Sequence, residues 1–281
     1  CSYLGLDLHP KVQEAYRKVP ESWGVNFCCA RSRFSIEPLT LLEERLSRHF
    51  GGRAITFPSV TTTHVAVLPL VASGLLIPNI GDRKVRLVFD RFSHSSMQFL
   101  KPIAADEAEV TTIQHNDLES LMKEVNDAKA KNQLVVYVCD GVYSMGGAAP
   151  LPDLLELAEK HDFYLYIDDA HGTSIFGRNG VGPVLNLLNG KLAERIILTF
   201  ALSKGFGTNG GGVVVPSTQQ ESLIRTYGQV YGFSAALDNS AVMASHASLD
   251  LHYDGTVAEL QKKLRERVQY FDSLFGSKDV E

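Results

Sequence analysis

The chain has 281 residues, 44% of them hydrophobic and 21% charged, enough apolar side chain to bury a core in one large domain or two small ones. Its 27 basic against 32 acidic residues leave a net charge of −5, so nucleic acid, whose binding draws on a basic surplus, is not an expected partner. No membrane span is expected: the longest apolar stretch, 64–80, is interrupted by Pro69, Gly74 and Pro78, and a crossing helix needs about 20 nearly continuous apolar residues. Cys1, Cys28, Cys29 and Cys139 make no disulfide framework and none stands in CxxC spacing, which points to a reducing, cytoplasmic compartment. The chain opens on Cys1 rather than Met, as a piece of a longer protein would.

Helix-like and strand-like stretches alternate, predicting an α/β architecture around a largely parallel sheet. Leu39, Leu42, Leu46 and Phe50 share one face of a helix over 39–50, which Gly51-Gly52 stops. A short strand at 54–57 precedes Pro58-Ser59 and the run Thr61-Thr62-Thr63, then a helix interrupted by Pro69. Strands are predicted at 85–89, 134–139, 163–167, 196–200 and 212–215, each a β-branched or aromatic run bounded by Asp, Gly or Pro. Helices are predicted at 118–130 and 151–161. A last one carries the stripe Val257, Leu260, Leu264, Val268, Phe271 and Phe275. With no repeat and no linker, one domain is expected.

In such a sheet ligands gather beyond the carboxyl ends of the strands, and the polar clusters fall there. The strand at 85–89 runs into Asp90 and Ser93-His94-Ser95, and the one at 134–139 into Asp140-Gly141-Val142-Tyr143-Ser144. The strand at 163–167 runs into Asp168-Asp169-Ala170-His171-Gly172, and 196–200 is followed by Ser203-Lys204-Gly205-Phe206-Gly207. One Asp after a strand is commonly a cap or turn residue; four such clusters suggest a site assembled from separate strand ends. A metal held by Asp168, Asp169 and His171 is disfavoured, because adjacent strand residues point to opposite faces. The glycines 210–212 and Gly177-x-x-Gly180-x-Gly182 lack the strand-then-helix setting of a nucleotide loop and are expected to serve tight turns or close backbone approach. No GxSxG elbow marks a serine nucleophile. A lysine amine remains: Lys204, among glycine and apolar residues, would be partly desolvated and its amine made available, against the plain alternative of a solvated surface lysine. With Asp168 at a neighbouring strand end, it forms the pair that pyridoxal phosphate requires, an amine for the aldehyde and an anion for the pyridine nitrogen.

At these residues the chain resembles the fold-type I pyridoxal-phosphate enzymes, nearest the α-oxoamine synthase family of class II aminotransferase-like proteins. The resemblance rests on Tyr3-Leu4-Gly5-Leu6 with His9-Pro10, Asp90-x-x-x-His94-x-Ser96, Asp140-Gly141-Val142-Tyr143-Ser144-Met145-Gly146-Gly147, Asp168-Asp169-Ala170-His171-Gly172 with the glycines to 182, and Ser203-Lys204-Gly205-Phe206-Gly207, in the family's order. It implies a three-layer α/β/α large domain of the aspartate aminotransferase kind with a mostly parallel sheet. It further implies that Lys204 holds pyridoxal 5'-phosphate and moves protons at the substrate α-carbon, and that Asp168 pairs with the pyridine nitrogen. His94 would stack on the ring, and His171 and Ser144 would meet the phenolic oxygen. The Ser59-Val60-Thr61 loop would take the phosphate on a helix N-terminus, and Ser234 would reach the phosphate of a partner subunit. Plain structural readings compete: capping or packing for His94, N-capping for the threonine run, an ordinary hydrogen bond for His171 and Ser144.

Several positions depart from the family pattern. A family glycine and histidine fall on Phe34 and Leu39, the aspartate of SMDG is Gly146, and a threonine before the lysine box falls on Ala201, with Thr199 two residues earlier. The resemblance implies a homodimer that condenses an amino acid with an acyl thioester such as acyl-CoA, losing carbon dioxide. A transaminase, or a silent assembly subunit, are the alternatives. The chain reads as the large domain, 1–281, lacking the smaller C-terminal domain whose arginine binds the substrate carboxylate. Arg31 or Arg33 is the fallback for that role.

Overall fold

The computed structural model describes residues 2–18, 24, 30–31 and 33–275; Cys1, Cys28 and Cys29 lie outside them. The strands are β1 (Arg53–Phe57), β2 (Lys84–Asp90), β3 (Glu109–Ile113), β4 (Gln133–Asp140), β5 (Tyr164–Asp168), β6 (Ile196–Ala201) and β7 (Gly211–Val215). They form a seven-stranded sheet in the order β1-β7-β6-β5-β4-β2-β3. Strand β7 runs antiparallel to β1 and β6, and the other neighbours pair in parallel. The helices are α1 (Pro10–Arg17), α2 (Glu37–His49), α3 (Val60–Ala72), α4 (Ser95–Gln98), α5 (Lys101–Ala104), α6 (Leu118–Ala130), α7 (Leu151–His161), α8 (Pro183–Leu187), α9 (Thr218–Tyr227), α10 (Gln229–Phe233), α11 (Asn239–Tyr253) and α12 (Thr256–Phe275). None is long and apolar enough to cross a membrane.

Two apolar cores, one on each face of the sheet, make the three layers. Leu134, Val136 and Val138 of β4 face the layer of α3 and α9, where Val67, Val71 and Ile224 meet them. Val135, Tyr137 and Cys139 face the layer of α2, α6 and α7 with Leu42, Leu121 and Leu154. Burial on both faces explains why these strands read as unbroken apolar runs rather than alternating ones.

The elements predicted from periodicity are present within one to three residues of their expected ends. Helix α3 runs through Pro69, which sits in its last turn, where the missing N–H costs one intrahelical bond. The sequence reading did not include the edge strand β3, with one buried residue in five, the helices α1, α9 and α11, or the short helices α4, α5, α8 and α10. Helix α11 is buried on most sides, with Ser245, Ser248 and His252 inside, so it has no polar stripe to reveal it. The stripe of α12 is buried only at its start: Val257 is covered while Phe271 and Phe275 are exposed.

The glycine runs serve close approach, as expected. A Cβ on Gly211 would stand 2.9 Å from the Val60 nitrogen at the start of α3, and one on Gly212 2.4 Å from the Ile55 carbonyl oxygen and the Phe200 ring. Gly177, Gly180 and Gly182 have positive φ. Gly212→Ala should therefore cost about 1–3 kcal/mol through overpacking, read as a drop in the denaturant midpoint. Gly232→Ala, in α10 with nothing within 4 Å of the new Cβ, should be neutral or stabilising by up to about 1 kcal/mol. Equal effects would show that the contact at Gly212 relaxes freely.

Candidate active site

Strand parity decides what faces what. Tyr164, Tyr166 and Asp168 of β5 point to the α3 layer, and Leu165 and Ile167 to the other. Thr199 of β6 falls on the α3 side with Ile197, and Asp140 of β4 with Val138. The Asp168 carboxylate is 3% exposed. Its Oδ1 accepts the Ala170 N–H (3.0 Å) and the Thr199 hydroxyl (3.2 Å), and its Oδ2 lies 3.0 Å from His64 Nε2. Burial alone would push this carboxyl up; the bond to His64, attraction to the His64 ring and to the Lys204 ammonium, and the Ala170 N–H outweigh it and hold it at about 2.

Three of the expected side chains share this field. Lys204 lies three residues past β6, in a turn closed by the Gly207 N–H on its carbonyl. Burial draws its ammonium down from the ordinary value, opposed by attraction to Asp168 and Asp140. His94 precedes α4, its N–H donating to Asp140 Oδ1 (2.9 Å), and burial lowers it, with Asp168, Lys204 and His64 all in electrostatic reach. His171 is lowered to about 4, by burial first and then Lys204, and its Nδ1 sits 2.6 Å from the Tyr3 hydroxyl. Asp140 is pushed up to about 8 by burial and by Asp168. Lys204, Asp168, His94 and His171 are thus brought together from three separate segments, those following β6, β5 and β2. The capping reading of His94 holds as well: its Nδ1 accepts the Ser96 N–H.

At the end of β1 the chain enters α3 through a capping box. Ser59 Oγ accepts the Thr62 N–H, and the Thr62 hydroxyl accepts the Ser59 N–H. Val60 and Thr61 are the first two helical residues, whose N–H groups have no carbonyl one turn back within the helix. Of the three residues expected to take a phosphate, Ser59 therefore shapes the loop, with Val60 and Thr61 left to offer the donors.

Two expected residues stand apart. Ser144 is exposed on a loop closed by the Val142–Ala148 bridge, and its side chain makes no hydrogen bond among the described residues. Ser234, at the end of α10, donates its hydroxyl to the Val230 and Ala235 carbonyls. Arg31 is not poised for a substrate carboxylate: it is buried, donating to Glu43 Oε1 and the Thr56 carbonyl (both 2.6 Å), with Tyr231 under its guanidinium. Arg33 is exposed, Leu39 belongs to the α2 core, and Phe34 lies at the surface.

Sequence reasoning missed His64, Thr199 as a partner of Asp168, and the contact of Tyr3 with His171. The signal for His64 was a histidine on the otherwise apolar buried stripe of α3, between Thr63 and Val67. Asp169 points the other way, into a nest where a Cβ on Gly172 or Gly182 would come within 2.0 and 2.1 Å of its oxygens. Neither oxygen has a hydrogen-bond partner among the described residues, and burial pushes this carboxyl well up.

Residues 36–281 match the model of the aminotransferase class I and II family. Over 253 residues the chain is 32% identical to a putative 8-amino-7-oxononanoate synthase of Desulforudis audaxviator, covering 89% of this chain and 62% of that protein. It is 31% identical to a serine palmitoyltransferase of Bacteriovorax stolpii, covering 89% and 57%. A solved serine palmitoyltransferase from S. paucimobilis, with a bound PLP–myriocin aldimine, superimposes with a TM-score of 0.76 at 26% identity, over 89% of this chain and 60% of that one. The chain spans about three fifths of the length of these relatives. It belongs to the aminotransferase class I and II family of fold-type I pyridoxal-phosphate enzymes. Within that family its relatives are α-oxoamine synthases.

The Asp140 carboxyl sets a pH dependence. Its folded value of about 8 lies above the ordinary 3.8, so between these the folded chain holds a proton that the unfolded chain has lost, and stability falls as pH rises. Asp140→Asn keeps an acceptor for the His94 N–H and removes this slope. It should stabilise the cofactor-free protein by roughly 2–4 kcal/mol more at pH 8 than at pH 5, at about 1.4 kcal/mol per pH unit. Denaturation at the two pH values checks it, and equal gains would place Asp140 in one charge state throughout.

Proposed function

We propose that the chain is the cofactor-binding large domain, residues 1–281, of a pyridoxal-phosphate-dependent α-oxoamine synthase-like acyltransferase. The observation that carries this reading is the convergence of Lys204, Asp168, His94 and His171 beyond the ends of β6, β5 and β2, with α3, whose first N–H groups belong to Val60 and Thr61, seated against Asp168 through His64. These residues fit pyridoxal 5'-phosphate: a partly desolvated amine, a carboxylate held ionised, two imidazoles, and a helix N-terminus for the phosphate. When bound, that cofactor withdraws electrons from the substrate α-carbon.

The protein's part is to hold, orient and move protons. Lys204 supplies the amine that retains the cofactor and, once released, takes and returns the proton at the substrate α-carbon. Asp168, ionised at neutral pH, keeps the pyridine nitrogen protonated. His94 covers one ring face. His171, steadied by Tyr3, donates toward the phenolic oxygen, and Ser144 joins it there if its loop closes over the site. The substrates in this reading are an amino acid and an acyl thioester such as acyl-CoA. The carboxylate-binding arginine comes from outside the described residues, which is supported by the commitment of Arg31 to Glu43. We further propose a homodimer, supported by the exposed Phe233 and Met145 beside Ser234 and Ser144, and a cytoplasmic location, supported by the unpaired, buried Cys139.

Borohydride reduction of the protein loaded with pyridoxal 5'-phosphate should fix the label to the peptide holding Lys204, and a label on another lysine would sink the assignment. Amino acids added with and without acyl-CoA separate the reactions, since conversion of the cofactor to its amine form by an amino acid alone would favour transamination. Asp168→Asn should still bind the cofactor but lose most α-proton exchange, on the order of 100-fold. Asp169→Asn, on the opposite face, should lose much less. Matching losses would contradict the facing derived from strand parity.

A further inference from the structure

One buried titratable neighbour of Asp168 has no part in the cofactor roles above. It is His64, whose ring is fully buried on the sheet-facing side of α3. Its Nε2 lies 3.0 Å from Asp168 Oδ2 and its Nδ1 2.8 Å from the Tyr166 hydroxyl. Tyr166 and Asp168 are two residues apart on β5 and so share the face that meets α3.

The donors and acceptors fix a direction. Asp168 is an ionised carboxylate and can only accept, so the hydrogen of that bond sits on Nε2. Tyr166 is buried and keeps its proton, and His64 Nδ1 is the acceptor its hydroxyl meets among the described residues. We infer that Tyr166 O–H donates to Nδ1 and Nε2–H donates to Asp168, a one-way chain in which His64 is a positioning residue for the cofactor-facing carboxylate. His64 then anchors Asp168 Oδ2 without setting a full positive charge against it, and the charge of Asp168 stays available for the pyridine nitrogen. An imidazolium at the same place would compete with that nitrogen for the carboxylate. The other titratable groups around Asp168 are Lys204, His94, His171 and Asp140, and His94 is in electrostatic contact with His64 itself. The tautomer stands on the protein alone; its consequence for the cofactor rests on the function proposed above.

The test begins with the cofactor-free protein labelled with ¹⁵N at histidine, using long-range ¹H–¹⁵N correlation at pH 7 and assigning His64 by the signals missing from His64→Gln. The expected spectrum shows a protonated Nε2 and an unprotonated Nδ1; protonation of both, or of Nδ1 alone, would overturn the chain without recourse to any variant. Tyr166→Phe removes the donor to Nδ1. Affinity for pyridoxal 5'-phosphate should then fall about tenfold, the equivalent of about 1.4 kcal/mol. His64→Leu should lose at least as much affinity, while His64→Gln, which keeps a neutral N–H donor, should recover most of it. Equal losses in Leu and Gln would overturn the positioning role. Failure of the unsubstituted protein to bind pyridoxal 5'-phosphate, with the expected tautomer intact, would instead overturn the cofactor reading and the role built on it.

Discussion

A carboxylate that remains ionised while almost wholly excluded from water is the constraint around which this structure is arranged. Taking such a charge out of water costs several kcal/mol unless it is paired and hydrogen-bonded. Asp168 meets that cost through donors from three directions: the Ala170 backbone, the Thr199 hydroxyl on β6 and the His64 ring on α3. Each donor belongs to a different element, so the site exists only when β5, β6 and α3 are packed together. The same charge then supports its surroundings: it opposes the desolvation of Lys204 and pushes Asp140 up, so that two neighbouring carboxylates divide into one ionised and one protonated group.

The adjoining Asp169 shows the converse case. It faces away from the site and meets no donor among the described residues, so burial favours its neutral acid in a nest shaped by Gly141, Gly172 and Gly182. Those glycines belong to the loop after β4, the loop after β5 and the turn before α8, which all converge on one side chain. A motif of two aspartates and scattered glycines therefore has a split physical content, with one acid held ionised among donors and the other buried in the packing of the loops that carry His171 and Ser144.

Legibility in the sequence followed the reach of the physics. Short apolar runs revealed the strands because both faces are covered, and the polar residues just beyond them marked the carboxyl ends where a ligand collects. The edge strand β3 and the nearly enclosed α11 were not readable, because one has too few buried residues for a pattern and the other no exposed face to alternate with. The resemblance marks Ser59 as part of a phosphate loop; the structure adds that its side chain and N–H form a capping box with Thr62, a use that follows from the turn geometry. Arg31 looks available by its position in the chain and is in fact buried against Glu43 and Tyr231.

By itself, the sequence indicated the class of architecture, the strand ends where polar residues gather, and the pair Lys204 and Asp168, all from local periodicity and residue types at short spacing. His94 and His171 were singled out by the family resemblance. Only the tertiary structure decided which groups stand around them: His64 is 104 residues from Asp168, Thr199 is 31, and Tyr3 is 168 from His171. Such contacts arise from how helices seat on the two faces of a sheet, and the charge states they impose depend on burial and on partners that no local window contains.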